Sequence, residues 1–374
     1  MLYVDIPTMP EFKALTTTRN AICVSIYLRT TPLTQQAEAD RVELKNMLKT
    51  AVEQLRGAGA SKQGIAAVEE QIGDLIDDDE FWRFQANSLA ILVTPEAMRT
   101  FRLPNKLQPF AEVSDRFHLK PLLRALTFPH EALVLALSQG SARLLEVIPG
   151  LPPQIVKVGD LPKDAASAVR RASVRDRSPS GRIHGSEGQK VLLRLYARQV
   201  DQALRSVLAG RQTPLVLAAV APLDAIFRSI NTYPQLAAQT ISTSPDDMTE
   251  LELAQRARSI LDQLYSDEIA ALKSLYRTRT GEGRATADIA LAARAATFGA
   301  IEALLVDIDE SIPGTIDERD GRVTLADAPG ATSYGVVDEI AGRALLSGAR
   351  VLGVRRDDIP GRAPVAAILR YPLS

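Results

Sequence analysis

Five arginines, Arg170, Arg171, Arg175, Arg177 and Arg182, crowd one short stretch that holds a single acid, Asp176. The whole chain carries 44 Lys plus Arg against 45 Asp plus Glu, a net charge of -1. The stretch is therefore a local concentration of positive charge on a nearly neutral protein. It lies within residues 162–190, a small, polar and basic run that is long for a structureless loop in a compact domain. The run ends in Gly185-Ser186-Glu187-Gly188-Gln189-Lys190. A helix opening there presents unpaired backbone N–H groups and the positive end of its dipole. Such an arm can approach phosphates. The same composition also describes a solvated linker with helix-breaking glycines.

Other residues with chemical potential are weaker signals. Asp77, Asp78, Asp79 and Glu80 are clustered carboxylates, but adjacent positions rarely converge on one cation, and a solvated loop or helix end accounts for them. Asp307, Asp309 and Glu310 follow a predicted strand, where α/β sheets place a metal or nucleotide, but plain N-caps and turns account for them more readily. Three histidines, His118, His130 and His184, are too few for a His-rich metal centre. His184 has no Ser or Cys neighbour in a hydrolase context. The single cysteine, Cys23, excludes a disulfide scaffold and a Cys-based zinc site, and reads as a packing residue. No phosphate-cradling or dinucleotide glycine motif follows a strand, and Gly281-Glu282-Gly283 reads as a turn. Trp82 and the tyrosines do not interleave with basic residues as a stacking platform requires. Neither a metal nor a cofactor is expected.

The elements that must hold the arm come from apolar periodicity. Residues 21–30 alternate as a strand. A helix capped by Thr34 runs to about Leu55, with Leu44, Leu48 and Val52 on its inner face and Gly57 after its end. Residues 61–77 read as a second helix, and 88–95 with 98–104 as a hairpin. Residues 132–138, 141–150 and 153–161 form a three-strand meander. The basic run follows, then a helix from about Gln189 to Leu208. Leu193, Tyr196, Val200, Leu204 and Val207 make its buried stripe; Arg194, Arg198, Asp201 and Arg205 make its wet face. A strand at 214–220, a short helix at 222–230 and a strand at 235–242 complete that unit. Beyond a boundary at 243–248, helices at 249–276, 286–300 and 334–348 alternate with strands at 301–307, 349–354 and 364–371, and 322–327 reads as a hairpin arm. Alternation of this kind implies a three-layer α/β sandwich.

At 374 residues, 46% hydrophobic and 24% charged, the chain has ordinary globular composition and room for two or three domains. Its charge balance excludes a globally basic nucleic-acid binder, though not a local patch. The N-terminus, with Asp5 and Glu11, does not read as a signal peptide. No stretch reads as a membrane span. The expectation is a cytoplasmic protein with no membrane partner and no DNA partner.

Residues 185–200, GSEGQKVLLRLYARQV, resemble the GGQ loop and following helix of archaeal and eukaryotic class-1 release factors. The wider chain resembles the bacterial archaeo-eukaryotic release factor family, most clearly over residues 130–374. ALVLALSQGSARLLEV, GRATADIALAARAATFGAIEALLVD and the closing GRAPVAAILRY carry that resemblance. It implies an α/β protein of three domains: an N-terminal α/β domain (1–128), an RNase-H-like middle domain with a GGQ-like loop (129–245), and a C-terminal α/β/α sandwich (246–374) resembling kink-turn-binding ribosomal proteins. The N-terminal domain shows no stop-codon-reading motif.

The resemblance also implies chemistry. Gln189 matches the motif glutamine and Gly188 the glycine before it, the pair that promotes hydrolysis of the peptidyl-tRNA ester in the ribosomal centre. A backbone N–H donates to the reacting oxygen and the amide side chain places the water. Arg170, Arg171, Arg175, Arg177, Arg182, His184, Lys190, Arg194 and Arg198 then contact tRNA or ribosomal RNA phosphates. The partners implied are the ribosome and peptidyl-tRNA, with an accessory GTPase as a further candidate. The chain departs from the motif at Glu187, where the family has glycine. That residue brings a Cβ and a negative charge, and keeps open the alternative of a non-catalytic ribosome- or RNA-binding factor on the same fold, as in pelota. A third class, an interaction module or small-molecule enzyme, is marked by a deep apolar pocket away from the arm. Residues 165–188 are expected to be mobile.

Overall fold

The computed structural model describes residues 4–31, 37–127, 131–148, 152–168, 186–211, 213–309, 311–327 and 333–372. In chain order the elements are α1 (Met9–Thr17), β1 (Cys23–Arg29), α2 (Ala37–Gly57), α3 (Lys62–Asp77), α4 (Asp79–Arg83), β2 (Ser88–Thr94), β3 (Ala97–Leu103), β4 (Phe110–Ser114), α5 (Lys120–Thr127), β5 (Ala132–Leu137), β6 (Ala142–Val147), β7 (Gln154–Val156), α6 (Ala165–Ala168), α7 (Ser186–Leu208), β8 (Leu215–Ala218), α8 (Leu223–Ile230) and β9 (Leu236–Ile241). They continue as α9 (Glu250–Gly281), β10 (Ala285–Thr286), α10 (Ile289–Thr297), β11 (Ile301–Asp307), β12 (Pro313–Ile316), β13 (Val323–Leu325), β14 (Tyr334–Gly335), α11 (Val336–Leu346), β15 (Arg350–Val354) and β16 (Val365–Leu369). The protein is mixed α/β. Its contacts gather into two compact units, Pro129–Ser266 and the combination of Met1–Phe128 with Asp267–Ser374.

In the middle unit the sheet order is β7-β6-β5-β8-β9, with β5–β8 and β8–β9 parallel and β5–β6 and β6–β7 antiparallel. Both faces are covered. Leu133, Leu135 and Leu137 of β5 point to a core shared with Leu193, Tyr196, Val200 and Leu204 of α7. The alternate residues Ala132, Val134 and Ala136 meet Leu253, Ala254 and Ala257 of α9. Side chains alternate across a strand, so a strand buried on both faces reads as one unbroken apolar run.

The other unit is built from both ends of the chain. An antiparallel sheet, order β3-β2-β1-β4, packs Val24, Ile26 and Leu28 under α2 and α3. The opposite face of β1, with Cys23 and Tyr27, joins a core that also holds Leu304 and Val306 of β11, Ile340 of α11 and Val351 of β15. Two further sheets complete the unit, in the orders β10-β16-β11-β15 and β13-β12-β14. β11 pairs parallel with β15 and antiparallel with β16.

The structure adds α1, α4, β4, α5, α6, β10, β12 and β14 to the elements expected from periodicity. The first of these had a usable signal: Thr8 and Glu11 form a capping box, each side chain bonding the other's backbone N–H. Helix α9 runs to Gly281 rather than to about 276. Helix α7 opens at Ser186 rather than at Gln189.

Candidate functional site

The middle unit's sheet positions α7, and α7 positions the candidate residues. Its inner stripe recurs at three- and four-residue spacing, so burying Leu193, Tyr196, Val200 and Leu204 fixes the rotation of the whole helix. Lys190, Arg194 and Arg198 then fall four residues apart on one exposed stripe. Arg194 and Arg198 form no ion pair or side-chain hydrogen bond among the described residues. Val191 and Leu195 are exposed beside them. The face is thus cationic with apolar patches.

Gly188 and Gln189 lie in the first turn of this helix, Gly188 buried and Gln189 half-buried. That corrects the expected placement at the end of a loop: here the pair is helical. Arg170, Arg171, Arg175, Arg177, Arg182 and His184 lie outside the described residues. So does most of the span expected to be mobile; its edges, 165–168 and 186–188, are helical.

The described end of the preceding segment is held firmly. Asp164 accepts a hydrogen bond from the Ser167 amide at 2.6 Å, and this bond holds its carboxyl below the usual range. Ala165 donates to the Gln139 carbonyl at 2.9 Å. Gln199 of α7 donates to the Ala168 carbonyl at 3.1 Å. At 1.5 Å per residue, the stretch of α7 from 186 to 199 is about 20 Å long. The arm's two ends therefore meet the same helix about that far apart. Beneath it the Tyr196 hydroxyl is buried with no hydrogen-bond partner among the described residues, and burial pushes its pKa up.

One residue assigned to the wet face of α7 is not there. Asp201 is buried and accepts from the amide and hydroxyl of Thr232, at 3.0 and 3.2 Å, and from Arg205 at 3.1 Å. It fastens the loop before β9 to the helix.

The remaining acidic candidates serve the fold. Asp78 caps α4 by accepting from the Phe81 amide at 2.9 Å, and Asp79 pairs with Arg41 at 2.6 Å. Asp307 is buried and accepts from the Asp309 amide at 3.0 Å; Glu310 lies outside the described residues. No group of three or more metal-ligating side chains occurs among the described residues. The Cys23 thiol is buried, which pushes its pKa up to about 12 and suits a packing role.

Sequence reasoning missed a buried polar network in the two-ended unit. Asp338 accepts from the amides of Leu119 and Lys120. The Lys120 side chain is 1% exposed and faces Asp338, Asp307 and Asp309. His118 Nδ1 lies 3.3 Å from Glu112. Beside them Glu339 pairs with Arg116 and Arg343, both at 2.8 Å, and the Arg116 guanidinium lies 3.7 Å from the Tyr334 ring centre. No sequence signal announces Asp338 with Lys120 or Glu339 with Arg116, because those partners stand some two hundred positions apart.

Residues 129–267 match the sequence model of bacterial archaeo-eukaryotic release factor family 11. No curated protein matches the chain. Among solved structures, the chain is similar to ribosome-bound archaeal Pelota, solved with ABCE1, at 15% identity and a TM-score of 0.42 over 77% of this chain and 78% of that one. It is similar to Dom34 of S. cerevisiae, a translation termination-like factor that interacts with Hbs1, at 14% identity and 0.41 over 76% and 80%. It is also similar to the archaeal translation termination factor aRF1, at 13% and 0.22 over 98% and 99%. No described helix is long and apolar enough to cross a membrane. The stretch that matches this family's model, Pro129 to Asp267, is the one that holds the helix bearing the cationic stripe.

Proposed function

We propose that this protein is a release-factor-like ribosome-rescue factor whose middle unit docks on RNA through α7 and the basic segment before it. The observation that carries the reading is the stripe Lys190, Arg194 and Arg198, whose two arginines have no acidic partner among the described residues. Like charges four residues apart cost an isolated helix roughly 0.2–0.5 kcal/mol per pair. A polyanion reverses that cost, because each cation that neutralises a phosphate releases condensed counterions. The family match over 129–267 supports ribosomal RNA or tRNA as that polyanion. Its partners in this reading are the ribosome and peptidyl-tRNA, with an accessory GTPase, acting in the cytoplasm. Arg170, Arg171, Arg175, Arg177, Arg182 and His184 extend the same contact. Co-sedimentation with ribosomes over a salt series tests it. Binding should weaken with salt, and Arg194→Glu with Arg198→Glu should abolish it at low salt; undiminished binding by that variant refutes the docking surface.

A second reading adds hydrolysis of the peptidyl-tRNA ester, and the position of Gly188-Gln189 at the head of the same helix favours it. The first turn of α7 would have to open so that the Gln189 amide meets the reacting oxygen. Terminal turns open at little cost, since their first N–H groups lack helical partners. Glu187 opposes this reading by placing a carboxylate among phosphates. Peptide release from stalled ribosomal complexes decides between them: loss on Gln189→Ala supports hydrolysis, and equal release by both proteins leaves binding alone.

A further inference from the structure

A groove of about 360 Å³ lies between α10 and the turn that joins β12 to β13, far from α7 in sequence and unused by the reading above. Its walls are Ala290, Arg294 and Phe298 of α10 and its C-cap, facing Asp320, Arg322 and Val323. We infer that this groove binds an extended peptide segment of a partner protein, one carrying carboxylates beside an apolar anchor residue.

Four observations point to that occupant. The first is exposed apolar surface. Phe298 is 53% exposed, and Leu291, one helical face with Arg294 and Phe298, is 45% exposed. On β13, Leu325 is 61% exposed and stands on the same side of the strand as Val323. Of these, Phe298 lines the groove itself, and exposed apolar surface at a concave site marks a binding surface.

The second is charge. Arg294 makes no side-chain hydrogen bond or ion pair among the described residues. Among the described residues Arg322 forms one ion pair, with Asp320 at 3.4 Å, and both side chains are more than half exposed. Two guanidiniums beside apolar walls complement carboxylates.

The third is a sheet edge. β13 is the outer strand of the order β13-β12-β14, and among the described residues it pairs on one side only. An extended peptide can add to such an edge through its backbone while alternate side chains enter the groove.

The fourth is preorganisation. Gly321 has φ +73°, and a Cβ there would lie 2.7 Å from the Arg294 Cα, so turn and helix touch backbone to backbone. Asp317 accepts from the amides of Arg319 and Asp320 and holds the turn. Arg343 clips it to α10 by donating to Thr297 Oγ1 at 2.7 Å and to the Asp317 carbonyl at 3.2 Å. A site already shaped loses little freedom on binding. An RNA strand fits less well, because a polyanion leaves the apolar wall made by Ala290, Phe298 and Val323 unused.

The test is selection of random short peptides, displayed on phage, against the full-length protein, followed by fluorescence anisotropy of the recovered sequences. Acidic peptides with a Leu, Ile or Phe anchor should emerge. Their affinity should fall about tenfold or more on Arg294→Glu and, separately, on Phe298→Ala, as for truncated interface anchors. Both side chains are exposed, so circular dichroism should show folding unchanged, and Arg294→Gln supplies a milder variant. Ribosome co-sedimentation should be unaffected by either change, which keeps this groove separate from α7. Recovery of no acidic peptide, or of peptides indifferent to both variants, overturns the inference. So does a uridine oligonucleotide that binds in place of any peptide and is lost on Arg294→Glu.

Discussion

His118 and Asp338 are neighbours in the buried network and respond oppositely to acid. Burial lowers the His118 pKa from 6.5 to about 4 despite Glu112. A base held neutral in the folded state stabilises fully above pH 6.5, and that contribution fades as pH falls towards 4. Burial raises the Asp338 pKa from 3.8 to about 6 against its hydrogen bonds from Leu119 and Lys120. Its contribution is full below pH 3.8 and is lost as pH rises through 6. Between pH 4 and 6 the two nearly cancel. Asp338→Asn therefore should lose stability more steeply than the parent as pH falls from 6.5 to 4.5, approaching about 1.4 kcal/mol per pH unit. His118→Gln should gain stability over the same window. Urea unfolding at several pH values measures both slopes, and parallel slopes in all three proteins would remove the assignment. At this scale the sequence was partly readable. Cys23 as packing and Asp78 at a helix end both follow from local context. Lys120, buried among Asp307, Asp309 and Asp338, does not, because a lysine's surroundings are not written next to it.

At the scale of elements, α7 shows how far periodicity reaches. Leu193, Tyr196, Val200 and Leu204 are buried as their spacing requires. Asp201 borders that stripe, and whether a border position is wet depends on what lies against it; Thr232 does, so the carboxylate is buried and bonded. Asp201→Ala leaves the Thr232 amide without its acceptor and should cost about 1–3 kcal/mol, read by thermal or urea unfolding. Gly321 carries a second element-level prediction. Gly321→Ala meets both a left-handed backbone and the α10 backbone. It should destabilise by about 2 kcal/mol or more, and an unchanged melting temperature would show that the turn does not rest on the helix. The Glu187-Gly188-Gln189 stretch was legible as a helix start, but the start falls three residues earlier than its glycines suggested.

At the scale of the molecule, the ion pairs of Glu339 hold the two ends of the chain together. Arg19 and Arg116 come from the N-terminal segment and Arg343 from α11, and all three approach one carboxylate. Arg116 and Glu339 are both nearly inaccessible. Removing one member of a buried pair costs about 3–5 kcal/mol, because the other charge is left uncompensated. Glu339→Ala should lower hydrogen-exchange protection in β1 and in β11 together, since both strands border the same core. Protection lost in one strand alone would show that the ends unfold separately.

The sequence by itself determined the local elements: the β5–β7 meander, the helix behind the basic arm, and the α/β alternation from 286 onward. Apolar period, caps and turn residues act between near neighbours, so they are legible without a fold. Tertiary structure alone decided that the far face of β1 shares a core with β11 and β15, and that charged residues two centuries of positions apart are buried as partners. Apolar faces look alike in sequence. Which one meets which is settled only when the chain closes and shape, register and charge are satisfied together.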